Sequence, residues 1–108
     1  MCEFKVYLRD CSGEERIVAE EIIRVKRRGN KLVLSDVLGL SKELISIIDE
    51  VDVSKEHIRL LADPFLGKVA ELLGAYYEYL EEGEKGRVEA AIKELNDSYR
   101  QLLDKVKG

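Results

Sequence analysis

Polar and apolar residues alternate with a period of two over the first sixty positions, a pattern that predicts β-strands. In the first segment Cys2, Phe4, Val6 and Leu8 share one face, and the residues between them, with Arg9, share the other. Further along, Gly29-Asn30 predicts a tight hairpin because both residues tolerate positive φ. The pattern therefore predicts five or six short antiparallel strands, arranged as a small β-barrel or a strongly bent sheet.

The polar pair Glu20-Glu21 interrupts the alternation, so the stretch around it is predicted to form one strand or two. Residues 36–42 are predicted to be irregular, with a bend at Gly39. The predicted strands cover residues 2–9, 16–19, 22–26, 31–35, 45–53 and 57–61.

At Asp63 the hydrophobic period changes to that of a helix. Asp63-Pro64 predicts a helix start, because Asp accepts first-turn amides and Pro suits the first helical position. Gly83 is typical of a helix end, and a second helix is predicted over residues 85–105. In this second helix the apolar residues follow a heptad seam: Val88, Ile92, Leu95, Tyr99, Leu102 and Val106. We therefore predict an α+β chain, with a β domain over residues 1–62 and an αα-hairpin over residues 63–108 that packs on it or on a partner subunit.

Gly67 and Gly74 lie seven residues apart on one face of the first predicted helix. This spacing predicts a close approach of another backbone, unless the two glycines merely weaken the helix.

Composition adds limits on the class of protein. The 108 residues suit one compact unit, and 45% are hydrophobic, which is enough for a core. Charged residues make up 37%, and together with one Pro, one Met and no Trp they give a thermophile-like profile. We expect a cytoplasmic protein, because the sequence has neither a long apolar run nor a signal-peptide pattern.

The chain begins Met1-Cys2, where a thiol lies beside the chain-start amine and a main-chain amide. A soft thiolate combined with nitrogen suits nickel, copper or zinc. The alternative is that Cys2 is a small apolar residue at the start of a strand. The second cysteine, Cys11, would lie about 30 Å away at ~3.3 Å per strand residue. That separation exceeds the roughly 7 Å between Cα atoms that a disulfide allows, so both residues are predicted to stay thiols.

A basic run in the middle of the β region is the strongest nucleic-acid signal. A small β-barrel with a basic hairpin could follow phosphates, which makes RNA binding an alternative function. Apolar residues interleave with the basic ones, however, so the run is equally typical of a solvated strand face. The residues concerned are Arg24, Lys26, Arg27, Arg28 and Lys31.

His57, the single histidine, is predicted on the polar side of a strand and could ligate a metal with Cys2 or Cys11. Asp49, Glu50 and Asp52 form a carboxylate cluster that could bind a cation, although alternating charge is more typical of a surface strand. The sequence shows no Ser/His/Asp set, glycine-rich phosphate loop or CxxC pair, so we predict that the protein is not an enzyme.

Three tyrosines stand together late in the first predicted helix. Tyr76 is predicted on the core seam, whereas Tyr77 and Tyr79 point elsewhere and could contact a partner. The heptad seam leaves a third function open, that of a helical adaptor or oligomerisation element without a ligand.

The β region resembles the CooT family of small nickel-binding proteins, many of which were once labelled predicted RNA-binding proteins. The likeness lies in the Met1-Cys2 start leading into the first strand, the segment 18–23 (VAEEII), the Gly29-Asn30 hairpin and the strands 48–52 (IDEVD) and 57–61 (HIRLL). It covers residues 1–62, and the helical hairpin departs from the family pattern.

The resemblance implies a cytoplasmic homodimer that binds one Ni(II) between its subunits. Cys2 of each chain would be the ligand, with the Met1 amine or a backbone amide as nitrogen donor. The implied role is nickel homeostasis or delivery as a metallochaperone. The partners would be a second copy of the chain and a nickel enzyme or its maturation machinery.

Overall fold

A computed structural model describes residues 3–107, with side chains described as far as Leu103. The elements are β1 (Phe4–Arg9), β2 (Glu15–Arg28), β3 (Lys31–Asp36), β4 (Ser41–Ile45), β5 (Ile47–Asp52), β6 (His57–Leu61), α1 (Pro64–Glu82) and α2 (Gly86–Lys107). The α+β class, the number of strands and the C-terminal pair of helices confirm the sequence prediction. β4 was not predicted, because its first two residues lie in the stretch 36–42 that was predicted to be irregular.

The six strands form one sheet in the order β4-β3-β2-β1-β6-β5. The sheet is mixed and open, so the predictions of a purely antiparallel sheet and of a closed barrel are wrong. β1 pairs with β6 in parallel, with Lys5 opposite His57, while the other neighbours are antiparallel. This parallel pair joins segments about fifty residues apart in sequence, and local alternation carries no information about it.

The open sheet is nevertheless strongly bent. β4 and β5 are the two edge strands, yet Ser46 is the single residue between them. The sheet must therefore curl until its two edges meet at this corner. Ser46 is buried there, and its carbonyl accepts a hydrogen bond of 2.7 Å from Arg27 Nη2. The sequence prediction of one strand over residues 45–53 missed this break.

β2 runs unbroken through Glu20 and Glu21, so one of the two predicted alternatives is confirmed. Glu21 has a φ of 56°, and the register shifts on both sides of β2 near this residue. Such a bulge bends a strand without ending its pairing. The concave side of the sheet holds one hydrophobic core, formed by Val6, Leu8, Ile22, Leu32, Leu34, Ile58 and Leu60.

The helices begin and end close to the predicted positions. The Asp63 side chain accepts a hydrogen bond from Leu66 N at 2.7 Å, and Gly83 ends α1 with a φ of 78°. α2 packs antiparallel to α1, with Lys68 Nζ 3.3 Å from Glu94 Oε2. No described helix has the length and apolar character needed to span a membrane.

Gly74 brings α1 into backbone contact with the hairpin between β2 and β3. A Cβ at Gly74 would lie 2.7 Å from the Cα of Gly29, whereas one at Gly67 would lie 3.6 Å from Ile45 Cγ2. The predicted close approach is therefore confirmed at Gly74, while Gly67 has only an ordinary van der Waals neighbour.

Candidate functional site

The N-terminal end of β1 opens into a shallow, charged cavity of about 390 Å³. β1 is an inner strand of the sheet, and Lys5 N donates a hydrogen bond of 3.0 Å to the carbonyl of Glu56. This contact fixes β1 beside the turn that precedes β6. The cavity is lined on its acidic side by Glu3, Glu20, Glu21 and Glu56, and also by Phe4 and His57.

Met1 and Cys2 lie outside the described residues, so their predicted roles as nickel donors stay predictions. The described chain begins at Glu3, at the cavity end of β1. Cys11 is exposed in the turn at the opposite end of β1, beside the start of α1 and the face of α2 that carries Ser98. Because β1 separates that turn from the cavity, Cys11 and His57 do not share a site.

His57 instead meets two carboxylates of the neighbouring strand. Asp52 stands opposite His57 in the β5–β6 register, and Glu50 is two residues before it along β5. His57 Nε2 lies 3.1 Å from Glu50 Oε1, and one ligand atom from each of the three side chains lies within 4.8 Å of the others. We call these three residues the β5–β6 cluster.

The surroundings of the cluster hold its groups in place. The imidazole of His57 is only 12% exposed, and the Tyr7 ring meets it edge to face at a centroid distance of 5.7 Å. Asp52 Oδ1 accepts hydrogen bonds from Ser54 Oγ at 2.5 Å and from Lys55 N at 3.0 Å. These two bonds, the Ser54 bond first, hold the pKa of Asp52 below its usual range, so the carboxylate is kept ionised.

The sequence predicts the histidine and the carboxylates as candidate ligands, but of separate sites. The signal that could have joined them is the hairpin register: the turn over residues 53–56 places Asp52 opposite His57, and cross-strand partners share a face. Glu50 shares that face because it is two residues away on the same strand. Of the two partners predicted for His57, Cys11 lies elsewhere, and the pairing with Cys2 stays a prediction.

Four residues of the basic run share one face of the β2–β3 hairpin, and the fifth points to the other face. Arg27 stands opposite Leu32, which is buried, so it points to the core side of the sheet, whereas Lys26 is exposed on the other face. Burial lowers the pKa of the Arg27 guanidinium. Glu43 lies 3.9 Å from Arg28 Nη1 and 3.6 Å from Lys31 Nζ.

The exposed basic face of the hairpin thus consists of Arg24, Lys26, Arg28 and Lys31, with Glu43 beside the last two. The RNA-binding alternative stays a prediction.

Two of the three tyrosines differ from the prediction, and Tyr77 is exposed as predicted. Tyr76 is 48% exposed and Tyr77 is 57% exposed, whereas Tyr79 is half-buried with its ring 6.2 Å from that of Tyr76.

The buried side of α1 is formed by three small residues, Ala70, Gly74 and Ala75.

A small residue also lies on the face of α2 that packs against α1. Ala91 is buried and Val88 and Leu95 are half-buried, so part of the predicted seam lies at the helix contact. The remaining described seam residues, Ile92, Tyr99 and Leu102, are 42–51% exposed. The helix pair therefore keeps an apolar surface that the single chain does not cover.

A family model described as CO dehydrogenase accessory protein CooT matches residues 1–61. The matched segment contains Cys2 and all six strands, and it ends three residues before α1 begins. A search of curated proteins found no match.

Among solved structures, the chain is similar to the crystal structure described as "putative CooT from Carboxydothermus hydrogenoformans". The TM-score is 0.52 with 18% sequence identity, over 57% of this chain and 98% of that one. At this identity the likeness concerns the fold alone. Since nearly all of that chain corresponds to little more than half of this one, the helical hairpin has no counterpart in that comparison.

Proposed function

Since the chain belongs to the CooT family of CO dehydrogenase accessory proteins, we propose that it binds Ni(II) as a homodimer, with Cys2 of each chain as ligand. The observation that carries this proposal is the extent of the family match, which starts at residue 1 and so includes the Met1-Cys2 pair. The helices that depart from the family pattern lie outside the match.

The chemistry of Cys2 supports nickel as the metal. A thiolate with a neighbouring main-chain nitrogen, from the Met1 amine or a backbone amide, forms the soft N/S donor set that suits Ni(II). Two such sets, one from each chain, supply the four donors of a square-planar site.

The position of Cys11 supports a shared site over a site within one chain. Cys11 is the other thiol of the sequence, and it lies in the turn beyond the far end of β1. A second thiolate for the metal at Cys2 then comes from Cys2 of another chain.

The proposed role is to hold and deliver nickel rather than to catalyse a reaction. An accessory protein of a nickel enzyme has to release its cargo, and a site shared between two chains can open when the chains separate. The recipient would be a nickel enzyme or its maturation machinery. We propose that the helical hairpin, with its uncovered apolar surface, adds to the dimer contact or meets that recipient.

Titration of the reduced protein with Ni(II) tests this function. We expect thiolate-to-nickel charge-transfer absorption that saturates at one nickel ion per two chains. Light scattering after size exclusion should give the mass of a dimer for the loaded protein. A loaded protein that stays strictly monomeric would contradict the shared site.

The nitrogen donor is tested with an N-terminal extension. If the Met1 amine is a donor, a peptide tag that blocks it should weaken nickel binding, and removal of the tag should restore it. Unchanged binding in the tagged protein would assign the nitrogen to the backbone amide instead.

A further inference from the structure

We propose that the β5–β6 cluster is a second metal site, in which Glu50, Asp52 and His57 bind a first-row divalent cation such as Zn²⁺. Its ligands differ from those proposed at Cys2, because all three come from one chain and none is a thiol. The proposal rests on the geometry of the β5–β6 hairpin and does not depend on the nickel function.

One pair of donors already has a spacing that suits one ion. Zinc bonds to imidazole nitrogen and carboxylate oxygen measure about 2.0–2.2 Å. Two donors 3.1 Å apart, like His57 Nε2 and Glu50 Oε1, then subtend an angle of about 95° at the ion. The ligands of a tetrahedral zinc ion are about 3.4 Å apart, whereas the three donors of the cluster lie within 4.8 Å of one another. Metal binding therefore requires side-chain rotations that bring the donors closer by up to about 1.4 Å.

The backbone fixes the order of the donors. Asp52 and His57 are cross-strand partners next to the tight turn of the hairpin, and Glu50 follows on the same face. Cross-strand neighbours have Cβ atoms about 5 Å apart, a distance at which two side chains can reach a common ion. The register is regular from Glu50 to Asp52, so simple alternation places both carboxylates on the face of His57.

The groups around the donors hold the donor side chains in position. Ligating carboxylates and imidazoles in metal sites are oriented by further hydrogen bonds and packing. Here Ser54 and Lys55 hold one oxygen of Asp52, which leaves the other oxygen for a metal. The Tyr7 ring limits rotation of the His57 imidazole.

The types of donor atom determine which metal ions the site prefers. One imidazole and two carboxylates bind zinc and its first-row neighbours better than a soft ion such as Cu(I), which prefers thiolate. Three protein ligands leave at least one coordination position free for water or for a donor from another molecule.

The test uses the full chain with both cysteines replaced, Cys2→Ser/Cys11→Ser, so that no thiol competes for the metal. His57 is the single histidine of the chain, so its ring resonances in nuclear magnetic resonance spectra are unambiguous. On addition of Zn²⁺ we expect these resonances to shift and to saturate at one ion per chain. In the same background, Glu50→Gln and Asp52→Asn should each weaken the affinity by about tenfold or more, because each removes a ligand.

Asp49→Asn is the matched control, because it removes an exposed carboxylate of the same strand that is not in the cluster. It should leave the zinc affinity within about twofold of the background, since surface charges of this kind contribute little. The proposal is overturned if the His57 resonances do not respond to Zn²⁺. It is equally overturned if Asp49→Asn weakens binding as much as the two cluster variants, because the metal would then be attracted by surface charge alone.

Discussion

Cys2→Ser is expected to abolish the thiolate-to-nickel charge-transfer absorption and to lower nickel affinity by more than about hundredfold. Loss of a group that only supports a ligand costs about 10–100-fold in metal affinity, and this substitution removes both sulfur ligands of a shared site at once. A serine hydroxyl does not replace them, because it is a hard and weakly acidic donor. Isothermal calorimetry and absorption spectra of the reduced protein measure the loss.

Cys11→Ser is the matched control for this substitution. It makes the same change of sulfur to oxygen in an exposed turn at the other end of β1, and nickel binding should be unaffected. Cys11→Ser should keep the circular dichroism of the wild type, because Cys11 is exposed. The same spectrum of Cys2→Ser checks that a loss of nickel binding is not a loss of the fold. If Cys11→Ser removes nickel binding and Cys2→Ser does not, the assignment of the ligand is wrong.

Gly74→Ala is expected to destabilise the protein, although alanine is the better helix former. The gain in helix propensity is about 1 kcal/mol, whereas forcing a group into a filled contact costs about 1–3 kcal/mol. The new methyl group would lie 2.7 Å from the Cα and 2.8 Å from the carbonyl carbon of Gly29, and backbone atoms cannot rotate away as a side chain does. We therefore expect a net loss of up to about 2 kcal/mol in the free energy of unfolding, measured by urea denaturation.

Gly67→Ala makes the same substitution on the same helix with the opposite expected sign. Its methyl group would meet only Ile45 Cγ2 at an ordinary 3.6 Å, so the propensity term prevails and the protein gains up to about 1 kcal/mol. If the two variants prove equally stable, α1 does not rest on the β2–β3 hairpin in the way described.

The local elements of this fold could be predicted from the sequence because their signals are local. The Gly29-Asn30 turn, the Asp63 cap and the Gly83 cap each depend on the conformational preferences of one or two residues. The structure places all three where the sequence predicted them.

The arrangement of the strands could not be predicted in the same way. The parallel pairing of β1 with β6 and the corner at Ser46 depend on contacts between distant segments. Alternation shows which face of a strand is buried but does not show which strand lies beside it. The same limit applies to Arg27, which reads as one of five basic surface residues until its pairing with Leu32 turns it inward.

The heptad seam illustrates a different limit. The spacing predicted that Ile92, Tyr99 and Leu102 would join Val88 and Leu95 at the helix contact. These three side chains are 42–51% exposed instead, whereas the small residue Ala91 is buried. Close packing favours small side chains where two backbones approach, and a pattern of large apolar residues does not reveal this.

The two candidate sites also differ in whether local sequence signals are enough to predict them. The β5–β6 cluster follows from the register of one hairpin and could have been found by placing Asp52 opposite His57. The nickel site proposed at Cys2 involves a second chain, and no pattern within one chain specifies how two copies meet.

The most direct test of the proposed function is the stoichiometry of the nickel complex, measured by native mass spectrometry on the reduced protein with an unextended N-terminus. We predict a species with two chains and one Ni(II), which is absent for Cys2→Ser and retained for Cys11→Ser. Nickel bound to single chains, or the same dimeric nickel species formed by Cys2→Ser, would contradict a site shared through Cys2.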